Sequence, residues 1–174
     1  MRIFLIHVRD PQFYALPAAA RAMNGKRRIM GFPPIGIMSL SAVLKQAGHE
    51  CVMFDQANTD TPNSVVIEEI QRQQSALVGL SFLSTTSYPY AKILARQIRA
   101  ANPQVRSAFG GVFATLNAQL VKLQCPEVDF VCGGDGEQLL FDLVERLEDP
   151  ESVAGVTWAK DGRLVHHPNQ SIER

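Results

Sequence analysis

The sequence predicts an α/β domain built on a doubly wound, five-stranded parallel sheet, followed by a β-hairpin. Three observations predict it. Short apolar runs alternate five times with segments of helical spacing. The first run, residues 3–8, is near-continuously apolar, as expected of a strand covered on both faces. After the fifth unit the pattern changes to strand, Asp161-Gly162, strand, a strong hairpin signal.

The elements follow in order. Residues 3–8 (IFLIHV) form the first strand, and His7 within it is expected to be buried and hydrogen-bonded. Residues 9–32 form a long irregular connection containing Pro11, Pro17, Gly25 and Gly31. Connections of this length are uncommon in compact domains and are often functional. Pro33-Pro34 opens a helix whose apolar side carries Ile37, Leu40, Val43, Leu44 and Ala47, and Gly48 stops it. Residues 50–54 form the second strand, ending at Asp55. Thr61 is expected to cap the next helix, with Pro62 at its first position and Val66, Ile67 and Ile70 turned inward. Residues 76–82 form the third strand. The helix after it presents Ala91, Leu94, Ala95, Ile98 and Ala101 and ends at Asn102-Pro103. Residues 105–109 form the fourth strand, and Phe113, Leu116, Leu120 and Leu123 mark the apolar side of one following helix. Residues 128–132 form the fifth strand. A glycine-rich turn then leads into a helix carrying Leu139, Leu140, Leu143, Val144 and Leu147. Right-handed crossovers bring all five loops that follow the strands to one rim, the flavodoxin-like arrangement. The expected division is a domain over 1–150, a hairpin over 151–168 and the start of a linker over 169–174.

Composition bounds the function. The chain has 174 residues, enough for one domain with a full core. Its 17 basic and 17 acidic residues balance, which argues against a nucleic-acid or membrane-surface partner. The local basic run at 21–28 reads as a solvated loop. Cys51, Cys125 and Cys132 are odd in number and widely spaced, so neither a disulfide framework nor a metal-ligand spacing can be drawn; Cys51 and Cys132 read as core thiols. No apolar run approaches the length of a membrane span, and Met1-Arg2 leads directly into a strand, so the expected compartment is cytoplasmic. The adjacent His166 and His167 lie on a strand, where side chains alternate, so the pair does not face one metal.

Three rim loops carry residues suited to a ligand. After the third strand come Ser81, Ser84, Thr85, Thr86 and Ser87, five hydroxyls able to donate or accept, although helix capping needs one or two of them. After the fourth strand, Gly110-Gly111 removes the Cβ atoms that keep a ligand from the backbone. After the fifth, Gly133-Gly134-Asp135-Gly136-Glu137 brings backbone N–H groups and a helix N-terminus to the rim. Asp135 and Glu137 offer the alternative of satisfying that terminus themselves.

Together these residues resemble the cobalamin-binding flavodoxin-like domains. That family carries Asp-x-His-x-x-Gly, then Ser-x-Leu, then Gly-Gly. Here Ser81-Phe82-Leu83 is followed, after residues 84–109, by Gly110-Gly111. The resemblance implies that Ser81 contacts the dimethylbenzimidazole tail of cobalamin. It implies that Gly110 and Gly111 make room for the tail and that Leu83 belongs to the same site; Ser84, Thr85, Thr86, Val112 and residues 133–137 are expected to join the cofactor site from their places in the rim loops. The first motif departs. It falls on Gly31-Phe32-Pro33-Pro34-Ile35-Gly36, and only Gly36 is retained. Proline cannot ligate cobalt, so the resemblance implies base-off cobalamin with no histidine ligand. His7 is the one nearby alternative, and its place in a strand makes it a poor one. A side chain from residues 9–32 is expected to cover the lower face of the cobalt instead.

The departure, with the strings PPIGIMSLSAVLKQAGHECVMFD, FGGVFAT and VDFVCGGDGEQLLFDLVERL, resembles the N-terminal domain of cobalamin-dependent radical SAM proteins. These include anaerobic magnesium-protoporphyrin monomethyl ester cyclases and radical SAM methyltransferases. The resemblance implies a partner domain in the same parent chain, holding a 4Fe-4S cluster through Cys-x3-Cys-x2-Cys and using S-adenosylmethionine. No such triplet is present in this sequence, so the chain alone is expected not to be catalytic. The competing readings are an FMN-binding module and an interaction module without a corrinoid. A GxGxxG after an early strand is missing, which argues against a dinucleotide fold. So is the aspartate that a receiver domain places at the end of its third strand.

Overall fold

The computed structural model describes residues 1–9, 33–59 and 61–169. Residues 10–32 and 170–174, which hold most of the long connection, the basic run and nearly all of the expected linker, lie outside the described residues.

Seven strands form one sheet: β1 (Arg2–His7), β2 (Glu50–Asp55), β3 (Leu77–Ser81), β4 (Arg106–Gly110), β5 (Phe130–Cys132), β6 (Val156–Lys160) and β7 (Arg163–His166). Their order is β2-β1-β3-β4-β5-β6-β7, parallel through β5 and antiparallel from there. The five expected parallel strands are therefore present. The hairpin does not pack outside the sheet but extends its edge, through Val131 opposite Thr157 and Cys132 opposite Val156. Its turn has Asp161 at φ 50° and Gly162 at φ 74°, both left-handed, as a two-residue turn between twisted strands requires.

The helices are α1 (Ile35–Gln46), α2 (Asn63–Arg72), α3 (Tyr88–Ala101), α4 (Val112–Leu116), α5 (Ala118–Gln124) and α6 (Gly136–Glu145). Two apolar clusters show how they cover the sheet. On one face Ile37 and Leu44 of α1 and Leu139, Leu140, Leu143 and Val144 of α6 pack on Ile3, Leu5, Leu77 and Ala108. On the other, α2, α3, α4 and α5 pack on Phe4, Ile6, Val78, Leu80 and Phe109. Strand residues alternate between the two clusters, the arrangement that a sheet buried on both sides demands.

Two expectations at helix starts and faces are corrected. Pro62, not Thr61, occupies the cap position of α2, which begins at Asn63 with no side-chain cap. The single helix expected after β4 is two, broken at Asn117, whose side-chain amide donates to the Phe113 carbonyl. Leu116, Leu120 and Leu123 do not face the core; they are 73%, 49% and 68% exposed. The inward positions are Ala114, Ala118, Val121 and Cys125. Ala47, expected on the apolar side of α1, lies just past its end and is exposed, while Ser41 within α1 is buried.

The amino-terminal edge of the strands is tied by Asp129. Its carboxylate accepts from Arg99, from Arg106 at 3.4 Å, and from the backbone and hydroxyl of Ser107 at 2.7 and 3.2 Å.

Candidate functional site: a slot at the carboxyl edge of the sheet

The sheet order reverses between β1 and β3, and in open α/β sheets ligands bind at such a switch point, beyond the carboxyl ends of the strands. A narrow slot of about 70 Å³ lies there, between the sheet and helices α1 and α6. Leu5, Ile37, Ala108, Leu139 and Leu140 make its apolar walls. It opens onto a wider rim cavity of about 450 Å³, bounded by Leu83, Val112, Thr115 and Leu116 on one side and Gly36, Asp135 and Glu137 on the other. Leu40, Ser81, Gly111, Gly134 and Gly136 line both.

Three features make the slot what it is. The first is missing side chains: Gly79, Gly110 and Gly111 line it, and a Cβ added at Gly110 meets nothing within 4 Å. The second is a backbone position that only glycine serves. Gly111 has φ 97°, and a Cβ there would overlap the Phe82 carbonyl and stand 3.0 Å from the Phe82 nitrogen. The third is Ser81, whose hydroxyl makes no hydrogen bond within the described residues and stands partly exposed where the apolar slot meets the rim cavity. A hydroxyl so placed can donate to or accept from a polar atom of a ligand that enters the slot.

The helices are held at the right separation by short contacts. Leu40 of α1 faces Gly136, where a Cβ would come within 3.0 Å of the leucine methyl. The Ser39 hydroxyl donates to Glu137 at 2.7 Å, joining α1 to α6 beside the opening. Glu137 is therefore engaged by a side chain of α1, and neither it nor Asp135 makes a side-chain cap.

Of the residues singled out in the sequence, Ser81, Leu83, Gly110, Gly111, Val112, Gly134, Asp135, Gly136, Glu137 and Gly36 are brought together around slot and rim. Ser84, Thr85, Thr86 and Gly133 are not lining residues. Ser84 bonds the hydroxyls of Thr86 at 2.8 Å and Ser87 at 3.1 Å and accepts from the Ser87 N–H, so these hydroxyls shape the turn into α3. Gly133 donates to the Gly155 carbonyl at 2.8 Å and belongs to the sheet's edge. Gly79, Leu5, Ile37, Leu40, Ala108, Cys132, Leu139 and Leu140 also line the slot, beyond the residues that the motifs mark. Gly79 had a usable signal, since glycine inside an apolar strand marks close approach. The others are indistinguishable from ordinary core in one dimension. Cys51 and Cys132 are half-buried at the edge of the core, while Cys125 is fully buried. Among the described residues no group of three metal-ligating side chains is assembled, and no helix is long and apolar enough to cross a membrane.

A doubly wound sheet with an apolar slot, a free hydroxyl and glycines at its switch point defines a flavodoxin-like ligand-binding domain. The chain belongs to the B12-binding domain family, whose model matches residues 30–144. It is 28% identical to the anaerobic magnesium-protoporphyrin IX monomethyl ester cyclase of Synechocystis, over 76% of this chain and 28% of that one. It is 26% identical to an uncharacterised methyltransferase of Pyrococcus horikoshii, over 84% of this chain and 32% of that one. Among solved structures it resembles the radical S-adenosylmethionine methyltransferase TsrM from Kitasatospora setae with cobalamin and a [4Fe-4S] cluster bound. The TM-score is 0.73 at 15% identity, covering 97% of this chain and 29% of that one. It also resembles a cobalamin-binding protein from Desulfitobacterium hafniense, at TM-score 0.59 and 15% identity, covering 83% and 57%. The chain spans about a third of the length of the curated relatives it matches.

Proposed function

We propose that this chain holds cobalamin for a radical SAM enzyme, taking the dimethylbenzimidazole tail into the slot and presenting the corrin ring at the rim. The observation that carries the reading is the Ser81 hydroxyl, unengaged by the described residues, at the mouth of an apolar slot whose strand wall lacks side chains at Gly79 and Gly110. A flat aromatic base with one acceptor nitrogen fits that chemistry: the rings bury against Leu5, Ile37 and Leu140, and Ser81 donates to the nitrogen. Gly111 lets the backbone turn beneath the ligand. Leu83 and Val112, 61% and 57% exposed, offer apolar contact to the corrin from one side, and Gly36, Gly134, Asp135, Gly136 and Glu137 bound it from the other. Ser84, Thr85, Thr86 and Gly133 support the two rim turns.

The tail is held base-off, and no histidine takes the lower face of the cobalt. Supporting this, Pro33 stands where the family's histidine is found, and proline has no ligating atom. When bound, the cobalt supplies methyl-group or electron transfer; the protein's contribution is to position it. The partner is the remaining two thirds of a longer chain, a radical SAM domain with a 4Fe-4S cluster and S-adenosylmethionine. The cyclase and methyltransferase relatives, with their greater length, support that assignment. The parent reaction is oxidative cyclisation or methyl transfer, carried out in the cytoplasm without nucleic acid or membrane.

Gel filtration after mixing with hydroxocobalamin or with FMN tests the reading. Co-elution of the red corrinoid alone is expected. Retention of FMN, or of neither compound, contradicts it.

A further inference from the structure

One polar pair at the same edge of the sheet has no part in the slot as described. His7 is the last residue of β1, and its Nδ1 lies 3.0 Å from Oδ1 of Asp55, the last residue of β2. The side chains are 19% and 24% exposed. Asp55 is itself held: Asn58 donates to it through its backbone N–H at 3.2 Å and its side-chain amide at 2.8 Å. A carboxylate only accepts, so the proton of the shared bond sits on Nδ1, and Nε2 carries the lone pair in the neutral ring. Among the described residues Nε2 has no hydrogen-bond partner.

The register places His7 in line with the slot, although it lines neither the slot nor the rim cavity. His7 pairs with Asp55 on one side and with Ser81 on the other, and Ser81 pairs with Gly110. Strand partners share a face, so the four residues form one row across β2, β1, β3 and β4 on the slot side of the sheet. Leu5, two residues before His7 and hence on the same face, is already a slot wall. Ser81 is one of the five residues that line both the slot and the wider rim cavity, so a segment that links a buried base to a group at the rim can run along the Ser81 end of this row. In cobalamin that linking segment begins with ribose, whose hydroxyl is a donor.

We propose that His7, oriented by Asp55, is a ligand-binding residue whose Nε2 accepts a hydrogen bond from the ribose hydroxyl of the nucleotide tail. The inference rests on the cobalamin reading and adds to it a contact on β1, outside the motifs that carry that reading. Asp55 is a positioning residue: it fixes the ring's tautomer and leaves the lone pair for the ligand. A purely structural pair, holding only the turn after β2, would affect stability and leave ligand preference unchanged.

Cobalamin and cobinamide separate these outcomes, because cobinamide has the corrin ring but lacks the nucleotide tail. Equilibrium dialysis with the purified chain measures the affinity for each, and urea unfolding monitors folding. His7→Ala is expected to weaken cobalamin about tenfold, the order of one lost hydrogen bond, and to leave cobinamide unchanged. Asp55→Asn is a milder variant that keeps an acceptor for Nδ1, and its expected loss is smaller and confined to cobalamin. Equal losses for both corrinoids, or none, overturn the proposal. So does a nitrogen splitting in the electron paramagnetic resonance (EPR) spectrum of bound cob(II)alamin that disappears in His7→Ala, since His7 is then a cobalt ligand. If the wild-type chain binds no cobalamin, the cobalamin reading itself fails, a result distinct from the others.

Discussion

Gly111 and Phe82 fix the mouth of the slot: the backbone at Gly111, φ 97°, turns so closely over Phe82 that a Cβ there would overlap the Phe82 carbonyl. The Phe82 N–H in turn donates to the carbonyl of Gly110 at 3.2 Å. Phe82 also packs edge-on against Phe109, with ring centroids 5.1 Å apart. The glycine that opens the slot is therefore locked into the core. Gly111→Ala strains both backbone and contact and is expected to cost roughly 1–3 kcal/mol. Urea unfolding measures it, and an unchanged midpoint contradicts the assignment.

Gly110 is the opposite case. A Cβ there meets nothing within 4 Å, and the residue's backbone is an ordinary strand. Gly110→Ala is expected to change stability by no more than about 1 kcal/mol. The added methyl nevertheless projects into the space assigned to the tail. Cobalamin affinity is expected to fall about tenfold or more, as overpacking a filled site by one carbon costs about 1–3 kcal/mol. Equal affinity in the variant removes Gly110 from the site.

Asp129 anchors the far end of the sheet through Arg99, Arg106 and Ser107. Removing the carboxylate leaves the half-buried Arg99 facing no anion. Asp129→Ala is expected to cost about 3 kcal/mol, the usual scale for breaking a buried pair. Cobalamin binding by the folded fraction is expected to remain. Comparison of unfolding and binding curves checks both parts.

Alkaline pH is expected to destabilise the fold. Burial, then the neighbouring Glu127, pushes the Cys125 thiol up from 9.0 to about 11. Burial pushes the Tyr88 phenol to about 12. The unfolded chain releases these protons first, so it binds fewer than the folded chain, and stability falls as pH rises from 9 to 11. Lys122 acts in the other direction. Burial lowers it, so the folded chain gives up that proton below 10.5 and gains stability across that window. Cys125→Ala isolates the thiol: its urea midpoint should decline less steeply than the wild type's over this range. Parallel declines contradict the assignment.

Much of this architecture is legible in one dimension, for identifiable reasons. Strands covered on both faces are apolar throughout, so IFLIHV and LVGLS announce themselves, and Asp161-Gly162 marks the hairpin because few pairs tolerate two left-handed residues. Leu116, Leu120 and Leu123 misled because helical spacing reports a shared face without saying which way it points; Asn117 breaks the helix, and the alanines turn inward. Ser81 and Gly110-Gly111 were legible because a hydroxyl and two bare backbones at strand ends are unusual. The slot's apolar half was not, since Leu5, Ile37 and Leu140 differ from core residues only in what lies beside them. The hydroxyls of Ser84, Thr86 and Ser87 looked equally available, and only coordinates show that they bond one another.

The most direct test follows cob(II)alamin by EPR as the chain is added. Free cob(II)alamin has its own benzimidazole nitrogen on cobalt, which splits the signal. If the slot captures the tail as proposed, that nitrogen leaves the cobalt, and Pro33 has no ligating atom to replace it. The account predicts that the nitrogen splitting vanishes as protein is added and that Gly110→Ala needs more protein to remove it. A splitting that persists in the bound complex contradicts the account.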